Sequence, residues 1–323
     1  MKFSRALLLI AAALGLAAPA AAQDKFPSKP ITMLIPFAAG GSTDVAARAL
    51  ATVAEKSLGQ PVVVVNKPGA TGALALGELA KAKPDGYTIA AVNEIALAIA
   101  PHMQKVVFDP LTDFTPILNF GVYTTFVVVR AEAPWKSMKE LVDYAKANPK
   151  IVTVGVPGIG ASAHLGMARL MLENKADVTF VPFPGGAPTV TALLGGHVSV
   201  ASASGEVLPH LKSGKFRALA MFEDAKIADF PDIQTVRELG YNWNLNSWVG
   251  IAGPAKMDPA VTQKLYAAFR AAMDSPEFKT VMQTFSMLTI TEDPAASAAS
   301  LKKSYGDMGT LMKDLGMGLY AKP

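Results

Sequence analysis

The sequence predicts an α/β fold made of two doubly wound lobes that face each other across a cleft. Three observations predict it. Short β-branched runs ending in Gly/Pro-rich turns alternate with Ala- or Leu-rich stretches of helical period along the whole chain. Two such series lie on either side of "AEAPWKSMKELVDYAKANPK" (131–150). Each series opens with an apolar strand running into a glycine-rich turn, "MLIPFAAGGSTD" in the first and "VTVGVPGIGASAH" in the second. Open α/β sheets bind ligands beyond the carboxyl ends of their strands, so facing lobes bring both turns to one cleft. A single large sheet with two incidental glycine turns is the alternative that periodicity leaves open.

In chain order, strands are predicted in "ITMLIPF", "PVVVVN", "YTIAAV", "FVVVR", "IVTVGV", "VTFVPF", "VSVASA", "RALAMF" and "WVGIAG". Helices are predicted over 44–57, 71–81, 138–147, 163–174, 187–195, 259–272 and 295–315. The alternation argues for sheets that are mainly parallel. No repeat of 20–50 residues is evident.

Ahead of these elements, Lys2 and Arg5 precede an apolar run from 6 to 18 and an Ala20-Ala21-Ala22 cleavage site. This reads as a secretory signal peptide over 1–22, cut after Ala22. The run is short of the ~20 residues a spanning helix needs, so the mature chain is expected not to insert in a membrane. The 323 residues allow one large domain or two ordinary ones. With no cysteine, a disulfide scaffold, a thiolate nucleophile and a Cys-ligated metal are excluded. The net charge of +4 is scattered, with no Lys/Arg stripe for nucleic acid. His102, His164, His197 and His210 lack ligand spacing, so no metal and no cofactor is expected.

The first turn, "PFAAGGSTDVAAR" (36–48), holds no lysine, histidine or cysteine. Its small residues let backbone approach a ligand closely. Ser42, Thr43 or Asp44 can cap the helix that follows. That helix start presents N–H groups without intrahelical partners and the positive end of a macrodipole, which is an anion site. No G-K-[ST] follows, so it is not a Walker motif. In the second turn, residues 158–163 fit G-x-G-x-x-A, the outline of a dinucleotide fingerprint. The next strand, "VTFVPF", supplies no acidic ribose partner, and an exported protein meets little free nicotinamide cofactor. Ser162 and His164 suggest a nucleophile and a base. Two residues apart at a helix start they diverge, and the turn is not G-x-S-x-G. Ser162 reads as a hydroxyl donor or cap, and His164 as a residue lining or bracing the pocket. Glu206 either repels a second carboxylate, holds an amine, or sits at the solvent edge of a helix start.

The segments "IPFAAGGSTDVAAR", "VVNKPGATGALALGELAKAKPDGYTI", "GIGASAHLGMARL", "VPFPGGAPTVTALLGGHVSV", "LPHLKSGKFRALAMF", "FPDIQTVRELGY" and "SWVGIAGPAK" occur in that order. Together, from about residue 29 to the C-terminus, they resemble the Bug-type periplasmic solute-binding proteins of tripartite tricarboxylate transporters. The resemblance implies a type II periplasmic binding fold, with lobe 1 formed by 23–123 and 247–323 and lobe 2 by 124–246. It implies two crossings between lobes, near 123–126 and 247–251. The ligand it implies is a small organic carboxylate, held without cofactor or catalysis by a monomer in the periplasm and passed to the transporter's membrane subunits. The implied first-lobe grip is Phe37, Ala39, Gly40, Gly41, Ser42, Thr43 and Asp44. The second-lobe grip is Gly158, Gly160, Ser162 and His164. Phe183, Pro184, Gly185 and Gly186 wall the pocket, with Asn93 at the end of the third strand. The chain departs from the family's pattern at Phe183, where a Tyr is usual, and at Pro184, where a basic residue is usual. It departs again at Ala192, where an Asp is usual, and in "MFEDAKIADF". An exported hydrolase using Ser162 and His164, and a receptor that reports to a sensor kinase, remain as alternative functions.

Overall fold

In chain order the strands are β1 (Ile31–Ile35), β2 (Val62–Asn66), β3 (Thr88–Asn93), β4 (Phe114–Val122), β5 (Phe126–Arg130), β6 (Thr153–Val156), β7 (Thr179–Pro182), β8 (Val200–Ala203), β9 (Phe216–Met221), β10 (Trp248–Pro254) and β11 (Leu288–Glu292). They form two sheets, with orders β11-β4-β10-β3-β1-β2 and β7-β6-β8-β5-β9. The structure, a computed structural model, describes residues 26–321 except 38, 184, 224–225, 227–229, 244 and 246. The signal peptide read over 1–22, together with Ala38 and Pro184, lies outside the described residues.

Each sheet is buried on both faces. In the first, Ile31, Met33 and Ile35 point to one side, where α1 (Ser42–Leu58), α8 (Pro259–Ala272) and α9 (Pro276–Thr284) cover them. Leu34, Ala90 and Val92 point to the other side, against α2 (Ala73–Leu79) and α10 (Pro294–Leu315). The alternation is the period of two expected of a pleated strand, and the apolar residues on both faces make the run read as continuously hydrophobic. Helix α1 turns Ala46, Ala47, Leu50, Ala51, Ala54 and Leu58 inward at helical spacing. It ends at Gly59, whose φ of 72° suits the left-handed cap. The second sheet repeats the plan. Val127, Val129, Val154 and Val156 face α4 (Met138–Ala147) and α5 (Ser162–Glu173). Phe126, Val128, Ala201 and Ala203 face α6 (Gly186–Leu194) and α7 (Leu208–Lys212).

The chain leaves the first sheet after Val122 and enters the second at Phe126, then returns between Met221 and Trp248. The sheets are mixed, not mainly parallel as the alternation of strands and helices suggests. β1 pairs in parallel with β2 and β3, and β6 with β7 and β8. β10 inserts antiparallel between β3 and β4, while β5 runs antiparallel to β8 and β9. The reversed strands flank the crossings, because a strand that arrives from the other lobe enters its sheet from the opposite end. One small apolar cluster beside α3 (Ala100–Met103) joins the lobes, with Leu165 of α5 packed among Ala98, Ile99, Met308, Leu311 and Met312. No helix among the described residues is long and apolar enough to cross a membrane.

Candidate functional site

The carboxyl ends of β1, β3, β6 and β8 converge on a cleft of about 260 Å³. From the first turn come Phe37, Gly41, Ser42 and Thr43, and from the end of β3 come Asn93 and Ile95. The second turn supplies Pro157, Ala161, Ser162 and Ala163, and the end of β8 supplies Ser204 and Glu206. Tyr123, Thr125 and Ser247 line it from the two crossings.

Two helices begin at this cleft, and neither is capped by a side chain. α1 starts after Gly41 and α5 after Ala161, each with extended backbone at the cap position and no side-chain hydrogen bond to the first turn. Four other helices are capped by side chains, whereas α2, α6 and α7 also lack a side-chain cap. Ser137, Asp258, Ser275 and Asp293 cap α4, α8, α9 and α10, with N–H···O distances of 3.2, 2.7, 3.1 and 2.8 Å. The first N–H groups of α1 and α5 therefore remain as donors directed at the cleft, reinforced by the macrodipoles.

The first turn is held from behind. Asp44 accepts hydrogen bonds from the Gly40 N–H at 2.9 Å, Asn66 Nδ2 at 2.8 Å and Arg48 Nε at 2.9 Å. Burial pushes its carboxyl up, but the Gly40 N–H, Asn66 and Arg48 outweigh it and hold the group below its ordinary value. Asn66 also donates to the Phe37 carbonyl at 3.1 Å, which fixes the exit of β1. Thr43 shares a short hydrogen bond with the Tyr123 hydroxyl. Burial raises the Tyr123 phenol, against contacts with Thr43, Ser42 and Asn93, so it stays neutral and offers one O–H. Asn93 Oδ1 accepts the Ala96 N–H at 3.0 Å, at the mouth of a π-helical turn over Ile95–Ile99. Such turns recur at functional sites.

The second turn is held by His164. Its Nδ1 accepts the Gly160 N–H at 3.2 Å, which places the ring proton on Nε2, and its ring meets Phe180 edge-on at 4.6 Å. Burial lowers His164 to about 4, so it is neutral at pH 7. Ser162 donates instead to Glu94 Oε2 at 3.2 Å. Among the described residues no hydrogen bond joins Ser162 to His164, so the geometry holds no nucleophile–base pair there.

Of the residues singled out from the sequence, the structure brings Phe37, Gly41, Ser42, Thr43, Asn93 and Ser162 together in the cleft lining. Ala39 and Gly40 sit exposed at the tip of the first turn, and Asp44 lies buried behind it. Gly158 and Gly160 shape the second turn with φ of 140° and 80°, a region open to glycine. A Cβ on Gly160 would stand 3.0 Å from Met103 of the first lobe. Phe183 packs on the core of the second sheet. Gly185 and Gly186 begin α6, where a Cβ on Gly186 would lie 2.4 Å from the Glu206 carboxylate. Glu206 is exposed at the cleft rim. Tyr123, Thr125, Ser204 and Ser247 also line the cleft, and no local motif in the sequence marks them for binding. A cluster of hydroxyls at a lobe crossing is the signal that points to them. Among the described residues no group of three or more His, Asp or Glu side chains could hold a metal.

Comparison with known proteins agrees with this architecture. The family described as "Tripartite tricarboxylate transporter family receptor" matches residues 46–317. A protein of Cupriavidus necator encoded in a gbd 5' region is 41% identical over 280 residues, covering 85% of each chain. BugT of Bordetella pertussis is 35% identical over 292 residues, covering 88% of each. The structure of a TctC solute-binding protein from Polaromonas superposes with a TM-score of 0.80 at 30% identity, over 90% of this chain and 99% of that one. MatC from Rhodopseudomonas palustris, solved with bound malate, gives 0.75 at 28% identity, over 88% and 99%. With its two-lobed fold and its sequence in agreement, the chain belongs to the TctC receptor family of tripartite tricarboxylate transporters, and is of the Bug type.

Proposed function

We propose that this protein captures a small organic carboxylate between its lobes in the periplasm and delivers it to the membrane subunits of a tripartite tricarboxylate transporter. The observation that carries the reading is the pair of facing helix starts, α1 and α5, whose first N–H groups are left to the cleft. Ser42, Thr43, Asn93, Tyr123, Ser162 and Ser247 add hydroxyl and amide groups. Neutral, oriented donors suit capture and release of an anion unchanged. Neither a nucleophile–base pair nor a cofactor is part of the proposal. The malate bound by MatC supports a short organic acid. So does a cleft of about 260 Å³, below the roughly 300–1,000 Å³ of drug-sized pockets.

Asp44, Gly40, Gly160 and His164 act in this reading by shaping the two turns, and Ala39, Gly158, Phe183, Gly185 and Gly186 by framing the mouth. Glu206 at the rim favours an acid whose far end carries an amine or hydroxyl over one that aims a second carboxylate there. The proposed lobes are 23–123 with 247–323, and 124–246, closing as a monomer about the two crossings. The N-terminal segment 1–22 serves as the export signal.

A thermal-shift screen of mono-, di- and tricarboxylates, aromatic acids and amino acids tests the proposal. One acid class is expected to raise Tm, and to go on raising it with the logarithm of its concentration once the site is filled. Failure of every acid to shift Tm, together with a measurable esterase activity lost in Ser162→Ala, would replace it with the hydrolase reading.

A further inference from the structure

Behind the cleft floor lies a second cavity of about 670 Å³, between α5 of one lobe and α10 of the other. Glu94, the residue after β3, stands between the two spaces. It lines the larger cavity and is 2% exposed. Its Oε2 accepts hydrogen bonds from Ser247 Oγ at 2.9 Å and Ser162 Oγ at 3.2 Å. Both serines line the ligand cleft, one at a crossing and one in the second turn.

A serine has one hydroxyl proton. While Glu94 is ionised, both serines spend that proton on its carboxylate and offer only lone pairs to the cleft, the wrong polarity for an anion. Once Glu94 is protonated, its O–H is donated to one serine, whose own O–H then turns to the cleft. The second serine is also released from a charged acceptor.

We infer that Glu94 is a positioning residue that sets whether the cleft floor donates or accepts, so that binding a carboxylate takes up one proton from solution onto Glu94. This rests on the reading of the cleft as a carboxylate site. The proton comes from water by way of the larger cavity and leaves the same way when the ligand departs.

The charges around Glu94 favour the neutral form. Asp307 on α10 repels its charge, while the carboxyl of Glu223, after β9, is pushed well above its ordinary value by burial and by the Glu94 charge. Glu223 is itself buried. Its Oε2 accepts the Thr125 N–H at 2.8 Å, and its Oε1 has no hydrogen-bond partner among the described residues. The cations of the larger cavity are committed elsewhere in part: Arg169 on α5 pairs with Glu173 at 3.0 Å, and Lys303 on α10 with Asp307 at 2.5 Å. Arg237 and Asp314 complete its charged lining. Burial pushes the Glu94 carboxyl up to about 7, against the two serine contacts.

The test is calorimetry of malate, or of the tightest acid of the screen in its place, in two buffers of different ionisation enthalpy at pH 8. Carboxylic acids titrate near pH 4, so the ligand itself exchanges no proton there. Wild type is expected to take up close to one proton per ligand and to lose about tenfold in affinity per pH unit above 7. Glu94→Gln, whose amide donates permanently, is expected to take up none and to bind about thirtyfold tighter than wild type at pH 8.5. Binding without proton uptake by wild type overturns this inference alone, whether or not the variant folds, and so does equal uptake by wild type and Glu94→Gln. A chain that binds none of the acids overturns the carboxylate reading, and this one with it.

Discussion

The two glycine turns face the same cleft but are held by opposite means. The first is braced by an ionised carboxylate, Asp44, tied to Gly40, Asn66 and Arg48. The second is braced by a neutral imidazole, His164, and its hydroxyl Ser162 rests on a buried acid, Glu94. The difference shows where this protein is rigid to pH and where it is not. Asp44 stays charged throughout the physiological range, so the first turn keeps one geometry. The second turn depends on two groups that change charge between about pH 4 and 7.

The largest effect comes from filling the second turn with a charge of its own. Ala161 already has the extended backbone of a cap residue, φ −64° and ψ 151°. In Ala161→Asp the side chain caps α5 and should add on the order of 1 kcal/mol of stability. Its carboxylate opposes a ligand at about 4 Å, worth roughly 4 kcal/mol at an effective dielectric near 20. Affinity should fall more than a hundredfold while Tm holds or rises. Binding preserved in this variant would mean that the second helix start does not hold the anion.

Loss of the first brace should register as stability. Asp44→Ala strands the donors of Gly40, Asn66 and Arg48 and is expected to cost about 3 kcal/mol by urea denaturation. Asp44 has its pKa lowered on folding, so its contribution is present above its unfolded value of 3.8 and lost as pH falls through the lower folded value. The gap between wild type and variant should therefore be flat from pH 5 upward. A gap that opens or closes near pH 7 would contradict the rigid first turn.

The second turn should show two opposite slopes of similar size. Glu94 rises on folding from 4.5 to about 7. Between those values the folded state holds a proton that the unfolded state has released, so stability falls as pH rises, by about 3 kcal/mol in all. His164 drops on folding from 6.5 to about 4. Between those values the unfolded state holds the extra proton, so stability falls as pH falls, again by about 3 kcal/mol. Relative to wild type, Glu94→Gln should gain stability toward pH 7, and His164→Gln should gain it toward pH 4. Profiles parallel to that of wild type would show that folding shifts neither group's pKa. The smallest effect is Ser162→Ala, which should weaken binding only about fivefold, roughly 1 kcal/mol, because the helix-start N–H groups remain.

Much of this fold is legible in local sequence. Helices α4 and α8 run over 138–147 and 259–272, as their apolar periodicity predicts. β4 is not legible, because "FTPILNFGV" carries a proline and a glycine that normally break strands. The structure places Pro116 beside Ala252 at a register shift, where a missing N–H is tolerated. β11 is an edge strand with alternate residues exposed, so its five residues carry little apolar signal. The two turns were readable because each is a local junction of strand and helix. Tyr123, Thr125 and Ser247 were not, since the lobe crossings bring together residues more than 120 positions apart. Glu94 escaped for another reason. An acid at the start of a helical segment looks like ordinary dipole compensation, and only the fold shows it facing Ser162 and Ser247.

The helix starts of α1 and α5 bear on how such a receptor diverges. A backbone amide is the same in every residue but proline, so no ordinary substitution deletes the donors proposed to hold the anion. Mutational drift at the cleft can then act on the rim and floor side chains, Glu206, Asn93 and Glu94, without loss of the ability to hold an acid. A lineage built on this scaffold can exchange one nutrient for another in a few steps, each intermediate still able to bind, with the identity of the acid written in those few side chains.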